Sequence, residues 1–252
     1  MSGPLDDIDS RLRWTGQHIE KIDKEVRAFL DDGPMYEITV EAQPNGRTYL
    51  YRVEKGRRLP DDLRFKVGDA FHNLRASLDN IAWALVASRG KPVWNVAFPV
   101  CRNGAQFRTL VEAKFAQVDQ GAIDIIESFQ PYKDPDGKRA NWLKILDDRW
   151  NRDKHRVPML VGIIPGSFTY LESDGDVVDA AIYTDKGLKD GMPVGHVTYR
   201  TSQHTRRQPH FAFEVALDET RTPLIWRPIP NALQTAHILV RDEVLRRLRS
   251  YF

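Results

Sequence analysis

Two stretches of the chain carry side chains whose types and spacing could do chemistry: His72, Arg75 and Asp79 in one, Arg149, Asn151, Asp153 and His155 in the other. These are the types that move protons, hold anions or ligate a cation. On a helix, at about 100° per residue, Gly68, His72, Arg75, Asp79 and Trp83 cluster on one side. They stand away from the apolar stripe of Val67, Phe71, Leu74, Leu78, Ile81 and Leu85. An exposed face usually carries Lys and Glu, so this side is a second packed face whose polar groups satisfy one another, a site, or a homodimer face that contains one. The second stretch has its own stripe, Trp142, Leu143, Leu146, Trp150 and Val157, and Asp153 projects into the middle of it. A carboxylate there finds a partner or is protonated. Arg149, four residues earlier, can supply a charge-assisted hydrogen bond, and Arg75 competes for the same role. Asn151 and His155 share a separate face. His72, Asp79, Asp153 and His155 are suitable N and O ligand types for a divalent ion. Arg75 and Arg149 would repel a cation, however, and no metal or other cofactor is assigned.

The elements that must position these residues follow from periodicity. Ile8, Leu12, Thr15, Ile19, Ile22, Val26 and Phe29 recur at alternating steps of four and three, which predicts a long helix from Pro4 to Leu30. Tyr36 to Ala42 and Thr48 to Val53 read as a hairpin around Pro44-Asn45-Gly46. The polar-faced helices are expected over Asp61 to Ser88 and Ala140 to Arg156, with shorter helices over Gln106 to Val118 and Gly121 to Phe129 between them. Beyond Pro158 the period becomes alternating. Met159 to Ile164, Phe168 to Glu172, Val177 to Thr184, Val194 to Thr201 and Phe211 to Leu217 read as five strands of one antiparallel meander, punctuated by Pro165-Gly166, Asp174-Gly175 and Lys186-Gly187. A final helix is expected from Asn231, as N-cap, to Ser250, with Leu233, His237, Val240, Val244 and Leu248 on the face that covers the sheet.

The class is therefore α+β: an N-terminal helical bundle with an inserted β-hairpin, then an antiparallel sheet and a C-terminal helix. The division expected is a helical region, 1–157, with the hairpin at 36–53, and a sheet-plus-helix region, 158–252; the alternative is one continuous domain. The hairpin is free to pair with the later sheet through its edge.

Composition bounds the function without naming it. In 252 residues, 41% hydrophobic and 29% charged is the balance of a folded globular chain. Lys and Arg number 37 against 35 Asp and Glu, a formal charge of +2, so neither a polybasic coat nor an acidic tail is the main device. No run approaches the length of a membrane span, and Met1 to Asp9 is acidic without an apolar core, so no membrane partner or secretory signal is expected. Cys101 is the single cysteine, which precludes an internal disulfide and fits the cytoplasm. There is no P-loop, no GxGxxG opening a helix, no GxSxG elbow and no HExxH.

The run His72-Asn73-Leu74-Arg75-Ala76-Ser77-Leu78-Asp79, with Asn151-Arg152-Asp153-Lys154-His155-Arg156 further on, resembles a family of actinobacterial and phage proteins with no assigned activity. Phe98-Pro99 and Gln130-Pro131-Tyr132 fit the same family, so the likeness covers roughly Leu59 to Arg156. More loosely, Arg149 and His155 have the Arg-to-His spacing of the HEPN superfamily of helical RNA-cleaving domains, whose motif meets its copy across a dimer. Trp150 follows the arginine where those nucleases commonly carry a small polar residue. The resemblance implies a metal-independent endoribonuclease of toxin or phage-defence type, with RNA as substrate. His155 would act as general acid or base at the ribose 2′-hydroxyl and Arg149 would hold the phosphate, supported by His72, Arg75, Asp79, Asn151 and Asp153. A homodimer is expected, the first helix being suited to pair with another. The alternative is a non-enzymatic α+β protein that binds a protein or nucleic-acid partner, its polar-faced helices being structural.

Overall fold

The computed structural model describes residues 3–90, 94–134, 142–155, 161–169, 177–183, 187–201, 210–217 and 227–252, and the backbone alone at 151–155, 161, 168 and 169. Helix α1 (Pro4–Asp31) opens with proline in its first turn, where the missing N–H costs nothing, and with Asp6 and Asp7 at the positive end of the dipole. Ile8, Leu12, Thr15, Ile19, Ile22 and Val26 are all buried, and Thr15 Oγ1 donates to the Arg11 carbonyl at 2.8 Å. The stripe is thus covered within the chain, which removes it as the seam for a second copy.

Contacts divide the chain into two compact units interleaved in sequence. One comprises Met1–Ile22, Arg64–Met159 and Pro230–Phe252; the other comprises Asp23–Leu63 and Leu160–Ile229. The boundary at 157 read from the sequence follows the change of period, whereas these units follow which segments touch.

In the helical unit, α2 (Leu63–Ala87) is the central helix. Val67, Phe71, Leu74, Leu78, Ile81 and Leu85 are buried, and so are Ala70, Ser77, Ala82 and Ala84. Short helices α3 (Gly104–Lys114) and α4 (Gln120–Ser128) follow. Asn103 caps α3 by accepting from the Gln106 N–H at 2.9 Å, while Gln106 Oε1 reaches back to the Arg102 N–H at 2.9 Å. This reciprocal pair satisfies backbone donors that the first helical turn leaves without partners. Helix α5 (Trp142–His155) comes next.

The C-terminal helix α6 (Ile229–Ile238) starts two residues before the expected cap, with Pro230 in its first turn. It continues through a π-helical stretch, Leu239–Leu245, closed by the Arg246 N–H on the Arg241 carbonyl, and ends in the turn Arg246–Leu248. Its face of Leu233, His237, Val240, Val244 and Leu248 is buried as expected. What it covers is different. His237 bonds the Leu12 carbonyl at 3.0 Å and Arg249 pairs with Asp9 at 2.6 Å, so this face packs on α1 within the helical unit. An apolar stripe declares that it is buried and leaves its partner unspecified.

The second unit holds every described strand, all paired antiparallel. The order β1-β2-β5-β4 forms one sheet from β1 (Glu37–Ala42), β2 (Thr48–Glu54), β5 (Pro193–Tyr199) and β4 (Val177–Ile182). A second, two-stranded sheet pairs β3 (Val161–Thr169) with β6 (His210–Leu217). The hairpin does join the later strands, Tyr49 facing Val197 and Tyr51 facing Gly195. The expected single meander is replaced by two sheets. The two strands expected around Pro165-Gly166 are one: β3 runs through these residues, and its register shifts between Pro165 and Ser167. Proline has no N–H to give the ladder, so it sits where a bulge interrupts pairing. Residues 170–172, assigned to the second of those strands, lie outside the described residues. The sheets meet through Tyr36, Tyr51, Val53, Ile163, Val194, Val197 and Phe211, with the Tyr51 and Phe211 rings 5.7 Å apart.

Candidate functional site

Helices α2 and α5 run antiparallel in the helical unit, since the contacts between them step in opposite directions along the chain. Arg75 meets Asp147, His72 meets Trp150 with ring centroids 4.3 Å apart, and Phe71 lies under the Arg149 guanidinium at 5.9 Å. His72 and Arg75 of the first polar face thus meet α5 through Trp150 and Asp147, and Arg149 of the second meets the apolar stripe of α2.

Arg75 is the hub. Only 5% exposed, it ion-pairs with Asp79 one helical turn later, reaches Asp147 on α5 at 3.4 Å, and donates from Nη2 to the Phe98 carbonyl at 3.2 Å. Asp79 Oδ1 accepts the Phe98 N–H at 2.9 Å. The Arg75–Asp79 pair therefore grips both backbone polar groups of one residue, as a neighbouring β-strand would. Gln130, 1% exposed, does the same for the next residues: its Oε1 accepts the Cys101 N–H at 2.8 Å and its Nε2 donates to the Pro99 carbonyl at 2.9 Å. An extended segment without a sheet partner is thereby satisfied by side chains of α2 and of the residues that follow α4. Phe98-Pro99, Gln130 and the Arg75–Asp79 pair, far apart in sequence, come together here. Tyr132 closes the margin, donating to Glu127 at 2.8 Å. That bond, together with the Lys133 ammonium, holds the Glu127 carboxyl below the usual carboxylate range.

Beside this segment lies a groove of about 530 Å³. Ala97, Phe98, Pro99, Leu110 and Ala113 give it apolar walls, and Arg75, Asp147, Gln106 and Lys114 supply its polar groups. Burial pushes the Asp147 carboxyl above the usual carboxylate range, against the opposing pull of Arg75. Burial likewise raises the Cys101 thiol, with the Asp147 charge adding to it, so Cys101 is a packed apolar group and not a nucleophile. Asn95, at the groove's edge, adopts a left-handed backbone with φ of 61°. A second cavity, about 560 Å³ and lined by Phe129, Trp142, Leu239 and Arg247 among others, holds none of the candidate catalytic or supporting residues read from the sequence.

Of the sequence-derived residues, Arg75 and Asp79 are together and His72 stands exposed on the same helix against Trp150. Arg149 is buried, 5% exposed, over the Phe71 ring. The side chains of Asn151, Asp153 and His155 lie outside the described residues, so the expected Asp153 ion pair and the Arg149–His155 pairing do too. Asp147 and Gln130 were not singled out as site residues by type or spacing. Asp147 had a signal: four residues after Leu143 and three before Trp150, it flanks the apolar stripe that Asp153 enters. Gln130 had only its place in the Gln130-Pro131-Tyr132 landmark, because its role depends on a loop distant in sequence. Among the described residues no group of three or more His, Cys, Asp or Glu is placed to hold a metal ion, and no helix is long and apolar enough to cross a membrane.

Comparison with known proteins gives no match: no family model, no curated protein and no solved structure is similar to this chain.

Proposed function

We propose that this chain is a non-enzymatic interaction protein whose α2–α5 polar face is an internal lock, and whose groove along Ala97–Val100 receives an extended peptide segment of a partner protein. The observation that carries the reading is the Arg75–Asp79 grip on the N–H and carbonyl of Phe98. A catalytic guanidinium must be open to its anion, whereas this one is occupied by two carboxylates and a carbonyl. The burial of Arg149 weighs the same way against its holding an RNA phosphate. A peptide suits the groove better than a nucleic acid does, because apolar walls with a few polar groups recognise side chains. A formal charge of +2 lacks the electrostatic footprint that phosphate backbones require.

Selection of random linear peptides displayed on phage tests this. The whole chain should enrich a common motif, and Ala113→Arg, which fills the groove from α3 with a bulky cation, should abolish the enrichment. No enriched motif, or one retained by Ala113→Arg, would refute the reading.

A further inference from the structure

The solvent side of the larger sheet carries a second constellation, unrelated to the groove. Side chains alternate along a strand, so Asp179, Ala181 and Tyr183 lie on one face of β4 and its exit. Ala181 pairs with His196 of β5, which puts that histidine between the aspartate and the tyrosine. The contacts follow from the register: His196 Nε2 is 2.8 Å from Asp179 Oδ2, and His196 Nδ1 is 2.9 Å from the Tyr183 hydroxyl. A carboxylate only accepts, so in the neutral ring Nε2 carries the proton, Nδ1 is the acceptor and Tyr183 donates. Asp179 is exposed while His196 and Tyr183 are half-buried, so the hydroxyl is held yet reachable from solution.

An acid that fixes the tautomer, a ring that accepts a proton, and a hydroxyl bonded to that ring are the three roles of an activated oxygen nucleophile. From this juxtaposition we infer that Tyr183 is an acyl-acceptor site, its hydroxyl activated by His196 and Asp179 to take an acyl group from an activated ester. The Tyr183 oxygen adds to the carbonyl carbon as its proton passes to His196 Nδ1. The carbon–oxygen bond to the leaving alcohol then breaks, and the proton departs on that alcohol, leaving O-acyl-Tyr183 and a neutral ring. No oxidant or reductant is involved. The charge of Asp179 stabilises the imidazolium formed in passing and disfavours anionic phosphoryl donors, which is why a neutral carbonyl is the class expected. His196 is the group that moves the proton and Asp179 a positioning residue.

The test uses the full chain and p-nitrophenyl acetate, with acetylation of each of its eight tyrosines followed by peptide mass spectrometry. Tyr183 should be acetylated about a hundredfold faster than the other solvent-accessible tyrosines, the low end of what a positioned base supplies. His196→Gln should reduce Tyr183 to the common rate. Asp179→Asn should give a smaller loss together with a changed ring ¹⁵N spectrum, as the Nε2–H tautomer ceases to be fixed. Acetylation of Tyr183 at the common rate in the unaltered chain overturns the inference without recourse to any variant, and so does a folded His196→Gln protein with undiminished Tyr183 acetylation.

Discussion

Replacing Arg75 with methionine keeps the aliphatic stem and removes the guanidinium, which strands Asp79, Asp147 and the Phe98 carbonyl at once. Breaking one side of a buried ion pair typically costs about 3–5 kcal/mol, because a charge is left behind without compensation. Here the Arg75 side chain is 7% exposed but its carboxylate partners are 27% and 25% exposed, so water reaches them in part and the lower end applies. An orphaned backbone carbonyl adds about 1 kcal/mol. The expected loss is about 3–4 kcal/mol, read as the shift in urea unfolding followed by far-ultraviolet circular dichroism. Adding Asp147→Asn to Arg75→Met removes one stranded charge and should recover about 1 kcal/mol, a coupling visible in a double-mutant cycle. A loss below about 1 kcal/mol for the single variant, or strict additivity in the cycle, would refute the lock.

Three further outcomes follow from groups already described. Burial lowers the pKa of His237 below its usual 6.5, so the unfolded chain takes up the proton first and stability is lost as pH falls through that range; in urea midpoints between pH 8 and pH 5, His237→Gln should flatten this slope. Asp147 acts oppositely: its raised pKa makes the folded chain the better proton acceptor, so its contribution declines as pH rises from the usual carboxylate range towards the raised folded value, and Asp147→Asn should remove that component from urea midpoints followed upward from the acid side of that range. Gln130→Leu strands the Cys101 N–H and the Pro99 carbonyl and should cost about 2–4 kcal/mol in urea unfolding, with a loss under about 1 kcal/mol counting against its role as a clamp.

Periodicity made the helices and most strands legible, because a buried face leaves its spacing in the chain: the stripe of α1, the core of α2 and the face of α6 all lie where residue type put them. What periodicity does not encode is the partner. The stripe of α1 suited another chain and is covered within its own, and α6 packs on α1, a partner its own stripe does not name. Pro165-Gly166 has the composition of a turn, yet a bulge needs the same residues, and only the pairing of β3 with β6 separates the two. At the site, Arg75 and Asp79 were visible as polar residues on a packed helix. Their receiver, the backbone of Phe98, has no side-chain signature, and Gln130 reaches Pro99 and Cys101 across some thirty positions.

The most direct test of the lock, as against a nuclease built on the same two helices, is incubation of the purified chain with a broad pool of single-stranded RNA, in chelator and in magnesium, beside the His155→Ala variant. The expected result is intact RNA in every arm, with variant and unaltered chain indistinguishable. RNA cut by the unaltered chain in chelator and spared by a folded His155→Ala variant would contradict the account.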